Sequence, residues 1–246
     1  MLEFFFRHLR LSGTIACMIL LFVPMPPLMV DILYAIVWVL SIFVLCITIK
    51  YSEDFMSLPR VLLFLSLWIL AITISFTRTI LTDTRSVLYK YISVLNFNSV
   101  VNIIVAVVLL TATLILVKRG SGRLAETAAR FSLDSMPQRM FDVDNRLSKG
   151  EITSEEATEQ KDKIRKDLDF CSNMDGSSKF IAGNTKALIF LYLVSMVGGC
   201  LVNIFYNNMT VWQAICSVSF ISLWNVILGV VPIIVESIAV IWAIRH

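Results

Sequence analysis

The residues of this chain that could do chemistry are charged side chains at helical spacing between positions 118 and 186. One set recurs at intervals of three and four, and therefore shares one face of a helix: Arg123, Glu126, Arg130 and Asp134. Opposite charges at this spacing can pair within a helix, so a solvated stripe is the simplest interpretation. Asp175 and Lys179 are four residues apart and could form a local ion pair, worth about 0.3–0.5 kcal/mol.

Three further ionisable residues lie beside or inside apolar runs. Asp31 follows a proline turn at 24–27, where a carboxylate near the free donors of a helix start is favourable, so capping is the simplest interpretation. Arg78 ends one apolar run, and Glu236 lies inside another. An ionisable side chain there is costly unless it is paired, protonated or extended to the membrane surface. Extension to the surface, a proton-carrying role and neutral drift all remain open for Glu236.

The rest of the sequence offers no catalytic or metal-binding constellation. It has no Ser, His and Asp set, no His-Glu-x-x-His and no phosphate-binding loop, and its two histidines, His8 and His246, lie at opposite ends. The five cysteines include no C-x-x-C pair and are expected to act as small apolar side chains. The sequence therefore predicts no enzyme, no cofactor and no metal, and the small net charge of +3 argues against nucleic acid as a partner.

Membrane-spanning helices are the elements that must position these residues. Hydrophobic residues make up 57% and charged residues 16% of the 246, against roughly 45–50% and about 25% in soluble domains. Five runs without Asp, Glu, Lys or Arg approach or exceed the roughly 17–25 residues that a helix needs to cross a bilayer. The predicted fold is all-α and polytopic, with about six spans: 11–24, 31–49, 61–77, 99–117, 187–206 and 219–244.

The predicted organisation has three parts, with four spans in 1–117, a polar segment in 118–186 and two spans in 187–246. The polar segment holds 13 of the 21 basic and 12 of the 18 acidic residues. Within it, Thr153 and Glu156 have the spacing of a capping box, which predicts a surface-lying helix from there to about residue 170. An earlier amphipathic turn is expected to end near Pro137.

Two features of the last spans concern helix packing. Residues 198–199 are both glycine, which would let another helix approach closely. Between residues 209 and 244 the only charge is Glu236. We interpret this region as one span, roughly 219–244, that kinks near Gly229 and Pro232 and is preceded by an interfacial stretch.

The distribution of Lys and Arg predicts the orientation. With the N-terminus in the cytoplasm, the 118–186 segment and 18 of the 21 basic residues lie on the cytoplasmic side. Only Arg78, Arg85 and Lys90 would then lie outside. They belong to a stretch at 78–98 whose mixture of aromatic and cationic residues is typical of a membrane surface.

Several motifs occur here in the same order as in a known family. Residues 123–137 read RLAETAARFSLDSMP, Asp144 follows them, and residues 174–180 read MDGSSKF. Shorter matches accompany them: Pro24-x-Pro26 with Asp31, Phe76-Thr-Arg78, Lys118-x-Gly120-x-Gly122-Arg123 and Val197-Gly198-Gly199. Over nearly its whole length the chain resembles the FHIPEP family. Its members are the large export-gate subunits of bacterial flagellar and virulence type III secretion systems.

The resemblance implies a multi-pass protein of the bacterial inner membrane that couples proton flow to protein export. It implies four kinds of partner: copies of the chain in a homo-oligomeric ring, other membrane subunits of the export apparatus, exported protein substrates and the lipid bilayer. It also implies a gate-lining or subunit-contact role for the residues that match the motifs: Arg123, Glu126, Arg130, Asp134, Pro137, Asp144, Asp175 and Lys179.

The departures from the family pattern fall where the family carries charge. Asn184 stands in place of an Asp implicated in proton coupling, Asn225 in place of the Asp of a Gly-Asp-Gly motif, and Ile69 in place of an Arg. An amide can hydrogen-bond like a carboxylic acid but does not take up a proton near neutral pH. Glu236, conversely, lies where the family is apolar.

The family also continues beyond the matched region into further membrane helices and a large cytoplasmic domain. The chain is therefore expected to correspond to the N-terminal portion, through a split gene or a truncation. Together with the missing carboxylates, this leaves an alternative open. The chain would then be a structural or degenerate fragment that inserts and assembles but does not couple protons.

Overall fold

The computed structural model describes residues 13, 15, 17, 19–23, 26–50, 57–82 and 98–245 of the chain. The all-α prediction is confirmed, because these residues form helices joined by short turns and include no strand. The helices are, in chain order, α1 (Pro27–Lys50), α2 (Leu58–Leu81), α3 (Ser99–Ile115), a π-helical turn (Leu116–Ser121), α4 (Gly122–Ser148), α5 (Ser154–Phe205) and α6 (Val211–Arg245).

The polytopic prediction is confirmed as well. Five stretches of the described residues are helical, long and apolar enough to cross a membrane, and they correspond to the expected spans from 31–49 onward. The first expected span, 11–24, is described only in part, and residues 19–22 in it are helical. The polar link at 51–56 and most of the predicted surface stretch, 83–97, lie outside the described residues.

Helices α2 and α6 lie at the centre of the bundle. α6 packs against α1, α2, α3 and α5. In the most apolar part of α2 and of α6, 56% of the residues are buried, against 22–28% in the other candidate spans. The outer faces of α1 and α3 carry many exposed large apolar side chains, as a surface in contact with lipid does.

Two helices continue from the apolar region into the polar segment without a break. α5 has 52 residues and is therefore roughly 78 Å long. The α3 helix, the π-turn and α4 form one continuous helical rod. The expected helix ends near residue 170 and near Pro137 are therefore wrong.

Packing explains both continuations. Residues 171–186 contain no proline, and Met174 and Ile181 of this stretch are fully buried. Pro137 lies inside α4, where a proline costs about 3 kcal/mol, but α4 packs against α5 on both sides of it. Tertiary contacts hold the helix where local preference would end it.

The turn between α4 and α5 closes a long antiparallel hairpin. The predicted capping box is present, because Glu156 N donates to Thr153 Oγ1 at 3.2 Å and Thr153 N donates to Glu156 Oε2 at 2.8 Å. At the end of α4, Gly150 has a φ of +74°. The amides of Gly150 and Glu151 donate back to Leu147 O and Arg146 O, both at 3.0 Å, which is the Schellman arrangement.

The two arms of this α4–α5 hairpin pack through a narrow apolar seam. Its buried members are Val143, Ala157 and Ile164. Ion pairs Arg139–Asp167 (3.2 Å) and Asp144–Lys161 (2.5 Å) flank the seam. The apolar stripe of this part of α5 therefore packs on α4, and the expected surface-lying helix is one arm of the hairpin instead.

Glycines let the helices of the bundle come close together. A Cβ atom at Gly199 of α5 would lie 2.9 Å from Val218 Cγ1 of α6, and one at Gly198 would lie 2.8 Å from Leu81 Cδ2 of α2. The predicted close approach at the glycine pair is confirmed, and it occurs within one chain. Gly229 of α6 similarly admits Leu188 and Thr73, each 3.1 Å from a Cβ built there.

The last span is a single helix with Pro232 in its interior, but this helix begins at Val211, so the expected interfacial stretch before residue 219 is part of it. A proline has no N–H, so Pro232 leaves the carbonyl of Leu228 without its usual intrahelical donor. Trp38 of α1 supplies one, because its Nε1 donates to Leu228 O at 3.0 Å. This hydrogen bond also ties α1 to α6.

Candidate functional site

A hydrogen-bonded cluster joins α1, α2 and α6 inside the bundle. Asn225 of α6 is its centre: Tyr34 Oη donates to Asn225 Oδ1 at 3.0 Å, and Asn225 Nδ2 donates to Thr77 Oγ1 at 3.1 Å. Thr77 in turn donates to Thr73 O at 2.9 Å, one turn back along α2. All three linked side chains are buried, so the cluster satisfies polar groups that lipid and the apolar core cannot.

A second amide contact joins α5 to α2. Asn184 Nδ2 donates to the backbone carbonyl of Ser66 at 2.5 Å, and Asn184 is buried. About two turns earlier in α5, Ser177 Oγ donates to Pro59 O at 2.7 Å. The polar half of α5 is thus fixed to the start of α2 by side chains that bond to its backbone.

Asn184 and Asn225 therefore both contact α2, but they do not contact each other. Their partners on α2, Ser66 and Thr77, are eleven residues apart, which is roughly 16 Å along a helix. Ile69 is buried in the same helix. Asn184, Asn225 and Ile69 thus all take part in the packing of α2 against its neighbours.

The hydrogen-bond geometry requires a donor at position 184. A carbonyl oxygen only accepts, so its partner must donate. An ionised carboxylate in place of Asn184 could not donate to Ser66 O, whereas a protonated one could. A carboxyl group at this point would consequently couple its protonation to the α2–α5 contact.

Glu236 of α6 is buried, with 1% of its surface exposed. Its side chain does not extend to the surface, so the interpretation of Glu236 as a surface-extending residue is wrong. Neither carboxylate oxygen has a hydrogen-bond partner among the described residues. A buried carboxyl without a partner is costly, and such groups are concentrated where protons or ligands are handled.

Asp31 and Arg78 lie towards the end of the bundle away from the α4–α5 hairpin. Asp31 is buried and lies beyond the first turn of α1, which begins at Pro27, so it does not take the expected capping position. Arg78 donates to three successive carbonyls of the N-terminal helical segment, Leu20 (3.2 Å), Leu21 (2.8 Å) and Phe22 (3.0 Å). It therefore caps the end of that segment and joins it to α2.

The matched motif residues lie along the hairpin in two groups. The inner group, next to the apolar region, contains the ion pairs Glu126–Arg130 (2.5 Å) and Asp175–Lys179 (2.7 Å). Arg123, Glu126 and Lys179 also line one groove of about 620 Å³ between α4 and α5. The structure therefore brings the two motifs together, although the 36 residues 138–173 separate them in sequence.

The outer group is not part of this groove. Asp134 and Pro137 are exposed on α4, and Asp144 pairs with Lys161 near the hairpin turn. Asp144 lies 18 residues beyond Glu126, or roughly 27 Å along the helix. These residues form a surface of the hairpin, and no three His, Cys, Asp or Glu side chains of the described chain gather as metal ligands.

Basic residues are concentrated at one end of the bundle. The start of α2 contacts the polar half of α5 through Ser177, and Gly120 of the π-turn lies against Ile241 near the end of α6. These contacts put the start of α2, the hairpin and Arg245 at the same end. Arg78 is the one cation among the described residues at the opposite end.

Sequence reasoning did not identify the partners of the two amides. Tyr34, Ser66 and Thr77 are ordinary members of apolar spans when taken singly. The available signal was the run of Ser and Thr on α2, where Thr73 and Thr77 recur one turn apart. A polar stripe on an otherwise apolar helix marks the side that faces other helices.

These features define the class of protein: a polytopic helical membrane protein with amides and one carboxyl buried between its helices and a charged hairpin at one end. The FHIPEP family pattern matches residues 17–243. The chain belongs to the FHIPEP family. No solved structure matches it significantly.

Flagellar biosynthesis proteins FlhA are among its curated relatives. Those of Yersinia enterocolitica and Caulobacter vibrioides are each 31% identical, over 242 and 237 residues, which is 93% and 92% of this chain. The FlhA of Salmonella typhimurium is 30% identical over 242 residues. The chain spans about a third of the length of these relatives, 34–35%.

Proposed function

We propose that this chain is the N-terminal membrane part of an export-gate component in a flagellar or related type III protein export apparatus. The observation that carries the proposal is the family match across residues 17–243, with FlhA proteins as relatives. The chain offers membrane helices, buried polar groups and a charged hairpin, which suit a transport component. The proposal includes no enzymatic step.

The proposed location is the bacterial inner membrane, with the N-terminus and the α4–α5 hairpin in the cytoplasm. The concentration of cations at the hairpin end supports this orientation, because positive residues are retained on the cytoplasmic side. The end that contains Arg78 would then face the periplasm.

The proposed partners are further copies of the chain in a ring, other membrane subunits of the apparatus and exported proteins. The exposed Glu126–Arg130 pair supports a subunit contact, because exposed opposite charges can exchange partners across an interface. Arg130→Glu should then weaken self-association of the detergent-solubilised chain. Arg165→Glu, on the outer part of α5, is the matched control, and a parent that is monomeric at every concentration would contradict the ring.

Proton coupling is the finer part of the proposal, and Glu236 is its candidate carrier. Asn184 and Asn225 cannot take up protons near neutral pH, whereas Glu236 can, and it is buried without a partner. Proton flux into reconstituted vesicles should therefore be lower for Glu236→Gln than for the parent. Undiminished flux in that variant would exclude Glu236 as the carrier.

The second candidate function is a structural one, in which the chain inserts and assembles without coupling protons. The hydrogen bonds of Asn184 and Asn225 favour it, because both amides serve to join helices. A chimera distinguishes the two functions: this chain replaces the matching N-terminal region of the Salmonella typhimurium relative. Restored secretion of a flagellar protein supports the gate function, and a chimera that assembles without secretion supports the structural one.

A further inference from the structure

The groove at the inner end of the α4–α5 hairpin is strongly basic. Besides Glu126, its charged lining residues are all cations: Lys118, Arg119, Arg123, Lys179 and Lys186. Two come from the π-turn, one from α4 and two from α5. We call this set the basic groove.

Most of this positive charge is not neutralised. Glu126 pairs with Arg130 and Lys179 pairs with Asp175, so these charges already have partners. Lys118, Arg119, Arg123 and Lys186 form no ion pair with any residue of the described chain. Unpaired cations that converge on one groove indicate an anionic ligand.

The position of the basic groove along the helices indicates which anion. On α3, the exposed large apolar side chains end at Ile115, immediately before the π-turn. On the outer face of α5 they begin at Phe190, four residues after Lys186. Both helices therefore put the groove at the same level, where the lipid-facing surface ends and the polar hairpin begins.

The walls of the basic groove are suited to an amphipathic ligand. Leu114 and Ile115 line it on the side of the apolar region, next to the cations of the π-turn. A π-turn adds one residue to a helical turn and often marks a functional position. A free anion would contact only the cations, whereas a lipid would contact both the cations and the apolar wall formed by Leu114 and Ile115.

We propose that the basic groove binds the phosphate headgroup of an anionic phospholipid, with the start of an acyl chain against Leu114 and Ile115. Arg119 and Arg123 offer planar donor pairs that match phosphate oxygens, and Lys118 and Lys186 add point charges. This site goes beyond the proposed export function and does not depend on the orientation of the chain. It would anchor the hairpin at the membrane surface.

Lipid titration of the full chain in detergent tests the proposal, with thermal unfolding and native mass spectrometry as readouts. Phosphatidylglycerol should bind and raise the midpoint of unfolding, whereas phosphatidylcholine and inorganic phosphate should not. The triple variant Lys118→Gln, Arg119→Gln, Lys186→Gln should bind phosphatidylglycerol roughly a hundredfold more weakly, since each cation near a membrane surface contributes roughly a fivefold factor.

The matched control removes three cations from the outer hairpin, as Lys149→Gln, Lys163→Gln and Lys166→Gln, and should keep the affinity of the parent. Charge-preserving exchanges, Lys118→Arg, Arg119→Lys and Lys186→Arg, should retain most of the binding, and they keep the test decisive if the Gln variant fails to fold. Parent-like affinity in a folded Gln variant would overturn the proposal. Equal binding of phosphatidylcholine or of inorganic phosphate would also overturn it.

Discussion

The two buried asparagines, Asn184 and Asn225, make different hydrogen bonds. Asn225 accepts from Tyr34 and donates to Thr77, so both the oxygen and the nitrogen of its amide form hydrogen bonds. Asn184 only donates, to a backbone carbonyl of α2. The two positions therefore differ, because the backbone carbonyl that faces Asn184 can only accept, whereas the Thr77 hydroxyl that faces Asn225 can also donate.

The variant Asn184→Asp should make the stability of the chain depend on pH. A protonated carboxyl can donate to Ser66 O, and an ionised one would face that oxygen with like partial charge. We expect the variant to be close to the parent at acidic pH and less stable by about 1–3 kcal/mol once the carboxyl ionises. Thermal unfolding in detergent across a pH series measures this difference.

Asn184→Ala is the control for that experiment, because it loses the hydrogen bond at every pH. A deficit for Asn184→Asp that stays constant from acidic to alkaline pH would show that the contact with Ser66 does not require a donor.

The variant Glu236→Met should stabilise the fold. It replaces a buried carboxyl that has no hydrogen-bond partner in the described chain by an apolar side chain of similar volume. Removal of the desolvation cost should raise the free energy of unfolding by about 1–3 kcal/mol. Chemical or thermal unfolding tests this, with Ile238→Met, at an exposed position of the same helix, as the neutral control.

A loss of stability in Glu236→Met would indicate that the carboxyl has a stabilising partner in the membrane, such as another subunit. The proton flux of Glu236→Met in reconstituted vesicles then shows whether the carboxyl that affects stability also carries protons.

The helices depend on small residues for their closest contacts. α5 meets α6 at Gly199 and meets α2 at Gly198, where no side chain would fit without movement. Gly176 and Gly183, in the same helix, have open space around them. Four glycines of one helix thus fall into two kinds, and only the first kind is required by packing.

Gly199→Leu should weaken the bundle, whereas Gly183→Ala should not. A Cβ at position 199 would already lie 2.9 Å from the β-branched Val218, so the larger side chain should cost at least about 1–3 kcal/mol. Gly183→Ala should stabilise by about 0.5–1 kcal/mol, because alanine favours the helix. The midpoints of thermal unfolding of the two variants should move in opposite directions, and a tolerated Gly199→Leu would contradict this packing.

The whole molecule has two different ends. The hairpin end carries the basic groove, the start of α2 and Arg245, and the other end carries Arg78 against the N-terminal helical segment. The hairpin projects from the apolar bundle, since α5 is roughly 78 Å long and only about 20 residues are needed to cross a bilayer. Such a projecting arm is a surface that neighbouring molecules can reach.

Cysteine labelling tests the orientation of these ends. In a background without the five native cysteines, Lys149→Cys at the hairpin turn should react with a membrane-impermeant reagent only after the cells are opened. Tyr206→Cys, exposed in the turn between α5 and α6, should react in intact cells. The positive-inside distribution is the reason, and labelling of Lys149→Cys from outside would invert the proposed topology.

The sequence by itself determined the local features of this protein. Runs of apolar residues specified membrane helices, the Thr153–Glu156 spacing specified the start of α5, and the charge distribution specified one polar end. Each follows from neighbours within a few residues, since helix length, capping and solvation are local properties. The motif order likewise indicated the family.

Only the tertiary structure decided which polar groups meet and where helices end. Tyr34 and Asn225 are 191 residues apart in sequence, and nothing in either apolar run predicts their hydrogen bond. Glu236 could have extended to the surface, but the packing of α6 at the centre of the bundle buries it. Pro137 fails to end α4 because contacts with α5 outweigh its local preference, a balance set by the whole bundle.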